Sequence, residues 1–377
     1  MSDPERRRLF IGLMSGTSMD AIDAALVALG DRQCELLAVR ATAYPPKLQE
    51  RLLAASRRPG DCNVDEVCRL DREVGLAFRD AALGLLEASG TAGRDVVAIG
   101  SHGQTLRHQP RGAAPYTLQI GDPNLIAHGT GITTVADFRR RDLAAGGEAA
   151  PLAPAFHAWL FGDEAESRVV LNLGGFANVT LLPAGGEPGG FDTGPANTLM
   201  DAWSRSCRDL PCDEDGRWAS SGRVDEALLD GMLADPYFAA APPKSTGFEY
   251  FNDDWLQAQL AAQPGSDPAD VQATLCELSA RTIADAVRRH APGTGRVFAC
   301  GGGVHNAELM RRIAAWLAPM PLATTAAAGL DPAWIEAAAF AWLAARRVDG
   351  LPGNLPGVTG AGAAVVLGGI YAGSTDA

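Results

Sequence analysis

Residues 15–22 combine residue types that can bind phosphate and magnesium. They include a glycine, three hydroxyl side chains and the carboxylate of Asp20. Backbone N–H groups and hydroxyls bind anionic oxygens, and carboxylates are common ligands of Mg²⁺. Apolar runs on both sides predict a strand–turn–strand hairpin with these residues at its turn. An ordinary polar turn explains the stretch equally well, because Gly, Ser and Asp are also the commonest turn formers.

A second strand–turn–strand pattern follows at residues 168–182. Its turn contains Gly174, Gly175 and Asn178. Two such units, about one domain length apart, predict a duplicated architecture in which each half presents a hairpin to phosphate. Ordinary loops do not explain this repetition.

Asp192 lies in a glycine-rich stretch that precedes a predicted helix. An aspartate at this place has two interpretations, a helix N-cap or a catalytic base. Further along, Gly301, Gly302 and Gly303 stand between a predicted strand and a predicted helix. Without side chains, they allow a flat ligand to approach the backbone closely.

Polar residues also end a short predicted strand at residues 96–100. They are His102, Gln104 and Thr105. Polar residues at the end of a strand usually face a crevice in α/β folds. The charged run at residues 139–142 follows another predicted strand, and such a run is typical of a solvated face.

Composition excludes several function classes. At 377 residues and 47% hydrophobic, the chain is long enough for two lobes. A formal net charge of −13 argues against a nucleic-acid partner. The seven cysteines form no CxxC pair, which favours a reduced, cytoplasmic protein, and no apolar run is long enough to span a bilayer. The stretch PPKSTG is not a P-loop, because Pro243 stands where the motif requires glycine.

Several short motifs resemble those of the bacterial anhydro-N-acetylmuramic acid kinases. They are SGTSMD, SHGQT, VADFRRRD, NLGGFANVT, FDTGPAN, PPKSTG and CGGGVHN, with FAWLA and LPGN near the end. The plan of two hairpins, an acidic residue and a glycine-rich turn also resembles the sugar kinase, actin and heat-shock ATPase superfamily. The resemblance implies an α/β, two-lobed actin-like (ribonuclease H-like) ATPase fold with a central cleft.

The resemblance also implies the domain division and the activity. Residues 1–136, with the C-terminal segment 360–377, would form the lobe with the first phosphate hairpin. Residues 137–359 would carry the second hairpin, the catalytic aspartate and the adenosine motif. Family members use ATP and Mg²⁺ to open a 1,6-anhydro sugar with water and to phosphorylate the released hydroxyl in peptidoglycan recycling.

Carried over to this chain, the resemblance assigns roles to individual residues. Asp192 would be the general base, Glu336 a supporting carboxylate and Asp20 the magnesium ligand. The residues implied for ATP are Ser15, Gly16, Thr17, Ser18, Met19, Asp20, Ala21, Ile22, Gly174, Gly175, Asn178, Gly301, Gly302, Gly303 and Asn306. The residues implied for the sugar are His102, Gln104, Thr105 and Arg141.

Some positions depart from the family pattern. Ala21, Ala149 and Ala196 stand where glycine is usual, and an alanine fits there only if its φ is negative. Glu148 replaces a glutamine, and Phe248 stands where an arginine usually follows PPKSTG. These changes affect affinity rather than the two expected catalytic carboxylates.

Two other functions are compatible with the same residues. One is an ATP-dependent kinase of another amino sugar or small acid, and the other is a non-enzymatic, actin-like nucleotide-gated binding protein. Comparing ATP consumption on an anhydro sugar with that on open sugars distinguishes them. The expected partners are small molecules, with neither nucleic acid nor membrane, and a homodimer is left open.

Overall fold

The computed structural model describes residues 7–16, 18–57, 60 and 62–373. Its strands, in chain order, are β1 (Arg8–Met14), β2 (Ala21–Gly30), β3 (Gln33–Ala43), β4 (Val96–Ser101), β5 (Gln104–Gln109), β6 (Tyr116–Ile120), β7 (Thr134–Ala136), β8 (Arg168–Leu173), β9 (Phe176–Leu182), β10 (Gly189–Pro195), β11 (Arg296–Cys300), β12 (Leu322–Thr324) and β13 (Gly369–Tyr371).

The α-helices of the same residues alternate with these strands. They are α1 (Pro46–Arg57), α2 (Val64–Ser89), α3 (Pro123–Thr130), α4 (Phe138–Ala144), α5 (Ala153–Phe161), α6 (Asn197–Arg208), α7 (Arg217–Ser221), α8 (Glu226–Leu233), α9 (Pro236–Ala239), α10 (Asp253–Ala261), α11 (Pro268–His290), α12 (Ala307–Leu317), α13 (Ile335–Val348) and α14 (Pro356–Thr359). Within the described part of the chain, no helix has the length and apolar character needed to cross a bilayer.

The chain divides into two compact units. The first unit is Met1–Leu160 with Trp334–Ala377, and the second unit is Phe161–Ala333. These bounds differ from the predicted limits at residues 136 and 360. The main reason is α13, which packs on β1 and β4 and so brings the segment from Trp334 onward into the first unit.

Both units are built on the same strand order. The sheet of the first unit runs β13-β7-β4-β1-β2-β3, and that of the second runs β10-β9-β8-β11-β12. In each, an antiparallel hairpin is followed by parallel strands: β1 pairs with β4, and β8 with β11. The predicted duplicated α/β architecture is confirmed.

Each unit has its own apolar core. In the first unit, Ile11, Leu13 and Leu26 of the hairpin pack with Phe78 of α2, and all four are buried. In the second, apolar residues of β8 and β9 pack against α11. The residues of this helix from Val271 to Ala284 are almost all buried. The packed cores therefore fix the ends of the strands, where the polar residues predicted for the site lie.

A pair of glycines allows α13 to lie directly on the sheet of the first unit. Gly12 of β1 and Gly100 of β4 are register partners on neighbouring strands. A Cβ atom at Gly12 would overlap the carbonyl oxygen of Ala337, and one at Gly100 would overlap that of Phe340. Only residues without a side chain permit this approach of helix backbone to strand backbone.

We expect Gly12→Ala to reduce the free energy of unfolding by at least about 3 kcal/mol, because the methyl group meets backbone that cannot rotate away. The matched control is Gly30→Ala on β2, where the nearest atom to the added Cβ lies 3.6 Å away. That control should change stability by less than about 1 kcal/mol. Denaturant unfolding of both variants provides the comparison, and similar stability for the two would contradict the close approach of α13.

His157 gives the stability of the chain a pH dependence. Its side chain lies on α5 and is 1% exposed, and burial lowers its pKa to about 3. The unfolded chain therefore takes up a proton between about pH 6.5 and 3 that the folded chain does not. The contribution of the neutral, buried His157 to the free energy of unfolding is complete above pH 6.5. It is lost as the pH falls from 6.5 towards 3, by about 1.4 kcal/mol per pH unit.

We expect His157→Gln to remove this slope between pH 6 and pH 4, whatever its effect on stability at neutral pH. His128→Gln, at an exposed position of α3, serves as the control and should leave the slope unchanged. Urea unfolding at several pH values measures it. Parallel curves for wild type and His157→Gln would show that His157 is protonated in the folded protein.

Candidate functional site

The first predicted hairpin is present, and its turn is held by buried side chains. Ser15 Oγ donates a hydrogen bond to Gln104 Oε1 at 2.8 Å, and Gln104 Nε2 donates to Gly16 O at 3.1 Å. Tyr44 Oη also donates to Gln104 Oε1, at 3.3 Å. Ser15 is 1% exposed and Gln104 is fully buried. Both side chains hold the turn through these bonds. Ser15 and Gln104 can therefore contact a ligand only through their backbone atoms, unless their side chains rearrange.

The accessible part of this turn is small and polar. Ser18 and Asp20 are exposed, and a Cβ atom added at Gly16 would meet nothing within 4 Å. Gln49 Nε2 donates to Asp20 Oδ1 at 3.3 Å. Met19 is buried with φ of 57°, which forms the sharp turn. Of the other predicted residues, Ala21 and Ile22 begin β2, and Thr17 lies outside the described residues.

This turn fits a magnesium–phosphate group better than a preformed metal cage. Among the described residues, no three His, Cys, Asp or Glu side chains come together as a metal site. Magnesium usually binds one or two carboxylates together with phosphate oxygens and waters. The single exposed carboxylate of Asp20, beside the open backbone at Gly16, matches that type of site.

In the second unit, three polar side chains form a row across the sheet. Asn172 on β8 is the register partner of Asn178 on β9, and Asn178 is the partner of Asp192 on β10. Directly opposed residues of neighbouring strands point to the same face. The row therefore places the predicted Asn178 beside Asp192 and adds Asn172, which the sequence analysis did not select.

Asp192 lies within a strand and does not cap a helix. Helix α6 begins at Asn197, and its N-cap position, Ala196, has no side chain that could form a capping bond. The N-cap interpretation of Asp192 is therefore wrong. The sequence suggested it because glycines surround the aspartate, whereas β10 includes these glycines and continues to Pro195.

The backbone around Asp192 is held by the PPKSTG stretch and by Tyr237. Asp192 N donates to Lys244 O at 3.1 Å, and Tyr237 Oη donates to Asp192 O at 2.7 Å. Thr246 N donates to Asp192 Oδ2 at 3.0 Å. These bonds fix both the backbone and the carboxylate, as positioning of a reactive group requires.

The glycine triplet packs onto the second hairpin. A Cβ atom at Gly301 would collide with Asn172 Oδ1, and one at Gly303 would come within 3.0 Å of Leu173 and Asn197. Gly302 has open space around its Cα atom and is exposed. A Cβ at Gly175 would press on Thr198 Oγ1, and Gly174 O accepts from Asn197 Nδ2 at 2.7 Å. The structure thus brings together the two predicted glycine clusters.

The Asn306 side chain has a structural role and is not open to a ligand. Its side chain is 8% exposed, and Asn306 Oδ1 accepts from Leu309 N at 2.9 Å as the N-cap of α12. The cap is typical of asparagine before a helix. The sequence motif CGGGVHN therefore separates into an open glycine backbone and a helix cap.

In the first unit, the buried His102 pairs with the half-buried Arg139. Arg139 Nε and Nη2 lie 3.2 and 3.0 Å from His102 Nε2. Burial lowers the pKa of His102 well below its usual value, and the charge of Arg139 lowers it further. Burial also lowers the pKa of Arg139, while Glu336 and Asp142 act in the opposite direction. His102 is thus a neutral imidazole that accepts from a charged guanidinium.

His102 also borders a cavity of about 300 Å³ in the first unit. Asp71, Asp137 and Arg140 line the same cavity, and Arg140 Nη1 lies 3.6 Å from Asp137 Oδ2. Burial raises the pKa of both aspartates, and Arg140 opposes that rise. The volume and the mixture of carboxylate, guanidinium and imidazole suit a small polyhydroxy ligand.

The other predicted sugar residues lie in different surroundings. Thr105 on β5 accepts a hydrogen bond from Gln119 Nε2 at 3.2 Å. Arg141 is exposed on α4, whereas Arg139 of the same charged run points inward. Residues 139–142 are therefore only in part a solvated face. Because a helix has 3.6 residues per turn, adjacent arginines of this run point in different directions. The charged run by itself does not show which of them points inward.

Asp142 ends this run as a buried connector. Its Oδ1 atom accepts from Asn354 Nδ2 at 2.7 Å and from Thr359 Oγ1 at 2.8 Å, and its Oδ2 atom accepts from Ala149 N at 2.8 Å. Asp142 has no exposed surface. The glycine-containing loop after α4 is therefore tied to the segment around α14.

Glu336 lies at the start of α13, in its first turn, and is exposed. Burial lowers the pKa of Arg139, and the charge of Glu336 reaches Arg139 and opposes that lowering. Because α13 lies directly on β1 and β4, this carboxylate has a fixed position relative to the strand that ends at Ser101, next to His102. The sequence placed Glu336 in the other lobe.

The departures from the family pattern have different consequences. Ala21 and Ala196 do not have positive φ values, as the substitution of glycine requires. Ala149 does not meet that expectation, because its φ is 60° and it is buried. Phe248 packs edge to face on Phe176 with 5.2 Å between ring centroids, so it replaces a charge by an aromatic contact.

The functional candidates that the sequence analysis missed differ in whether the sequence carries a signal for them. Asn172 is a polar residue near the end of an otherwise apolar strand, the same feature that drew attention to His102. Arg139 has no such signal, because its burial depends on contacts with residues far away in the chain. Asp71 and Asp137 likewise meet only in the folded unit.

The family model for anhydro-N-acetylmuramic acid kinase matches residues 8–373. An anhydro-N-acetylmuramic acid kinase of Xanthomonas campestris is 54% identical over 367 residues, which cover 96% of this chain and 97% of the relative. Those of Xylella fastidiosa and Coxiella burnetii are 50% and 49% identical, covering 98% and 96% of this chain and 97% of each relative.

A solved structure, the activator of 2-hydroxyisocaproyl-CoA dehydratase from Clostridium difficile, is similar to 88% of this chain and 92% of that chain, at 12% identity and a TM-score of 0.44. The family match, in contrast, includes every site residue described above. The chain belongs to the anhydro-N-acetylmuramic acid kinase family.

Proposed function

We propose that this protein is an ATP-dependent kinase that opens the 1,6-anhydro ring of anhydro-N-acetylmuramic acid and yields N-acetylmuramic acid 6-phosphate. The observation that carries the proposal is the family match from residue 8 to residue 373, together with about 50% identity to curated kinases of that name. The fixed carboxylate of Asp192 supports it. This reaction belongs to cell-wall recycling, and ATP as the phosphate donor favours a cytoplasmic location.

The proposed reaction combines a hydrolysis with a phosphoryl transfer. The oxygen of a water molecule bonds to C1 of the sugar as the bond between C1 and O6 breaks. O6 keeps the electron pair of that bond and attacks the γ-phosphorus of ATP, and ADP leaves with the electron pair of the broken P–O bond. A base must accept the proton of the water. Asp192 supplies this base in the proposal, since Thr246 N holds one carboxylate oxygen and orients the other.

The second part of the reaction depends on positioning and charge neutralisation. We assign ATP to the backbone at Gly16, to Ser18 and to the glycines 174, 175, 301, 302 and 303. Asp20 would hold Mg²⁺, which supplies neutralisation of phosphate charge when bound. The open space at Gly16 and Gly302 supports this assignment, because phosphate or a flat base can approach the chain there.

The sugar is assigned to the cavity of the first unit. His102 and Arg140 line it, and Asp71 and Asp137 can accept hydrogen bonds from hydroxyl groups. Thr105 and Arg141 are proposed as outer contacts. Glu336 is proposed to support the reaction through Arg139, which donates to His102; burial and then the charge of Arg139 lower the pKa of this imidazole.

A substrate comparison tests the proposed function. We expect Mg²⁺-dependent ATP consumption on 1,6-anhydro-N-acetylmuramic acid to exceed that on N-acetylmuramic acid or N-acetylglucosamine by at least about a hundredfold in kcat/KM, because only the anhydro sugar has the bond that the base helps to open. Equal rates on the open sugars would indicate another amino sugar kinase. Slow ATP hydrolysis that no sugar stimulates would indicate a nucleotide-gated binding protein.

Asp192→Asn tests the assigned base. Asparagine keeps an oxygen that can accept from Thr246 N, so we expect normal thermal stability and nearly unchanged nucleotide affinity. Turnover on the anhydro sugar should fall by about a hundredfold or more, since the amide cannot accept a proton.

The matched control is Asp230→Asn, which removes an exposed carboxylate of α8 in the same unit. It should retain the turnover of the wild type. A rate for Asp192→Asn close to that of the control would remove the aspartate from proton transfer.

A further inference from the structure

A second cavity, of about 270 Å³, lies in the second unit between β10, α9 and α11. Four basic residues line it: Lys244, Arg281, Arg289 and His290. Asp285 is the acidic residue of its lining. In a chain of net charge −13, such a concentration of positive charge requires a separate explanation.

The cations of this cavity have no carboxylate partner among the described residues. Lys244 Nζ donates to Tyr237 O at 2.9 Å and lies 4.5 Å from the centre of the Tyr237 ring. Arg289 Nη1 donates weakly to Phe238 O at 3.4 Å. Within the same part of the chain, Asp285 forms no ion pair within 4.0 Å, although it lies one helical turn from both arginines of α11.

Arg281 is the most confined of these groups. Its guanidinium lies 4.3 Å above the Trp316 ring, and its buried Nε atom has no hydrogen-bond partner in the described structure. A buried donor without a partner costs stability unless a ligand or water satisfies it. The cation therefore offers an unused donor beside the cavity.

Elsewhere the same unit pairs its confined arginine thoroughly. Arg312 donates to Glu308 at 2.7 Å and to Glu277 at 2.8 Å, and its side chain is about as buried as those carboxylates. The contrast shows that α11 and α12 of this unit can supply carboxylates to a confined arginine. At the cavity, the positive charge is left available for an anion from outside.

Crowding of like charges supports the same conclusion. Burial lowers the pKa of Lys244, and the charge of Arg289 lowers it further. Burial, Arg289 and then Lys244 lower the pKa of His290. An anion in the cavity would reverse the electrostatic part of both shifts.

We propose that this cavity binds a phosphate group, as inorganic phosphate or as the phosphate of a small monoester. Arginine forks bind phosphate oxygens in pairs, and a lysine adds a point charge. The cavity volume is at the small end for ligand sites, which suits a compact anion.

The site is separate from the proposed catalytic groups. Phe191 and Thr193 border the cavity, and Asp192 lies between them on the strand, so its side chain points to the opposite face of β10. The inference concerns binding only and does not depend on the proposed reaction. One link exists through the backbone, where Asp192 N donates to Lys244 O.

Isothermal titration calorimetry of the full-length protein tests the site. Mg²⁺ and a non-hydrolysable ATP analogue are present at saturating concentration, so that the probe does not bind at the nucleotide site. The probes are inorganic phosphate and glucose 6-phosphate, in separate titrations at fixed ionic strength. We expect one phosphate site, with the dissociation constant raised at least tenfold by Arg289→Gln and by Arg281→Gln. The tighter probe identifies the source of the phosphate.

Arg288→Gln is the matched control. Arg288 is the neighbour of Arg289, is equally exposed on α11, and donates to one carbonyl oxygen, Ala318 O, at 3.3 Å, but it does not line the cavity. Its variant should keep the affinity of the wild type. If Arg281→Gln fails to fold, the exposed Arg289 still provides the comparison.

The NMR titration of His290 is an independent readout. Phosphate should raise the pKa of this imidazole in the wild type and leave it unchanged in Arg289→Gln. Absence of binding for both probes, equal weakening by Arg288→Gln, or a His290 pKa that does not respond to phosphate would each overturn the proposal.

Discussion

The contact between α13 and the glycine pair of the first sheet is the constraint on which the first unit depends. Gly12 and Gly100 are opposite each other on β1 and β4, and the carbonyl groups of α13 occupy the space where side chains would stand. This contact brings the C-terminal segment to the strands that end at the first hairpin and at His102. It therefore sets the position of Glu336, at the start of the same helix, by backbone packing.

In the second unit, strand register performs the corresponding task. The pairing of β8, β9 and β10 aligns Asn172, Asn178 and Asp192 on one face. A shift of one residue would turn Asp192 to the other face, toward the cationic cavity. Bonds from Tyr237 and Thr246 and to Lys244 O secure β10 in this register. Helix α9 and the irregular segment after it therefore support the candidate base.

Among the described residues, some confined charges have several polar partners, whereas the cations beside the cavity of the second unit have no carboxylate partner. Arg312 and Asp142 are confined groups that each have several polar partners, and both connect distant segments. Lys244 and Arg281 bind only a carbonyl or an aromatic ring in the described structure. An unpaired charge shielded from water lowers the stability of the folded protein. The grouping of such charges at the cavity of the second unit therefore favours a binding function there.

Local residue patterns were enough to predict both hairpins, the α/β class, the duplication and the two glycine clusters. Each of these features depends on neighbours in the chain: apolar runs that form strands and glycines that form turns. The identity of Asp192 and Glu336 as candidate carboxylates came from the resemblance to the family, on motifs that are also local.

Tertiary structure alone decided which of these residues are available. Ser15 and Gln104, 89 positions apart, use their side chains on each other, and Asn306 caps a helix. Arg139, and not Arg141, meets His102, and the segment from Trp334 onward belongs to the first unit because α13 packs on the first sheet. These outcomes depend on pairing between distant segments, since register and burial, which no local pattern contains, determine the surroundings of each side chain.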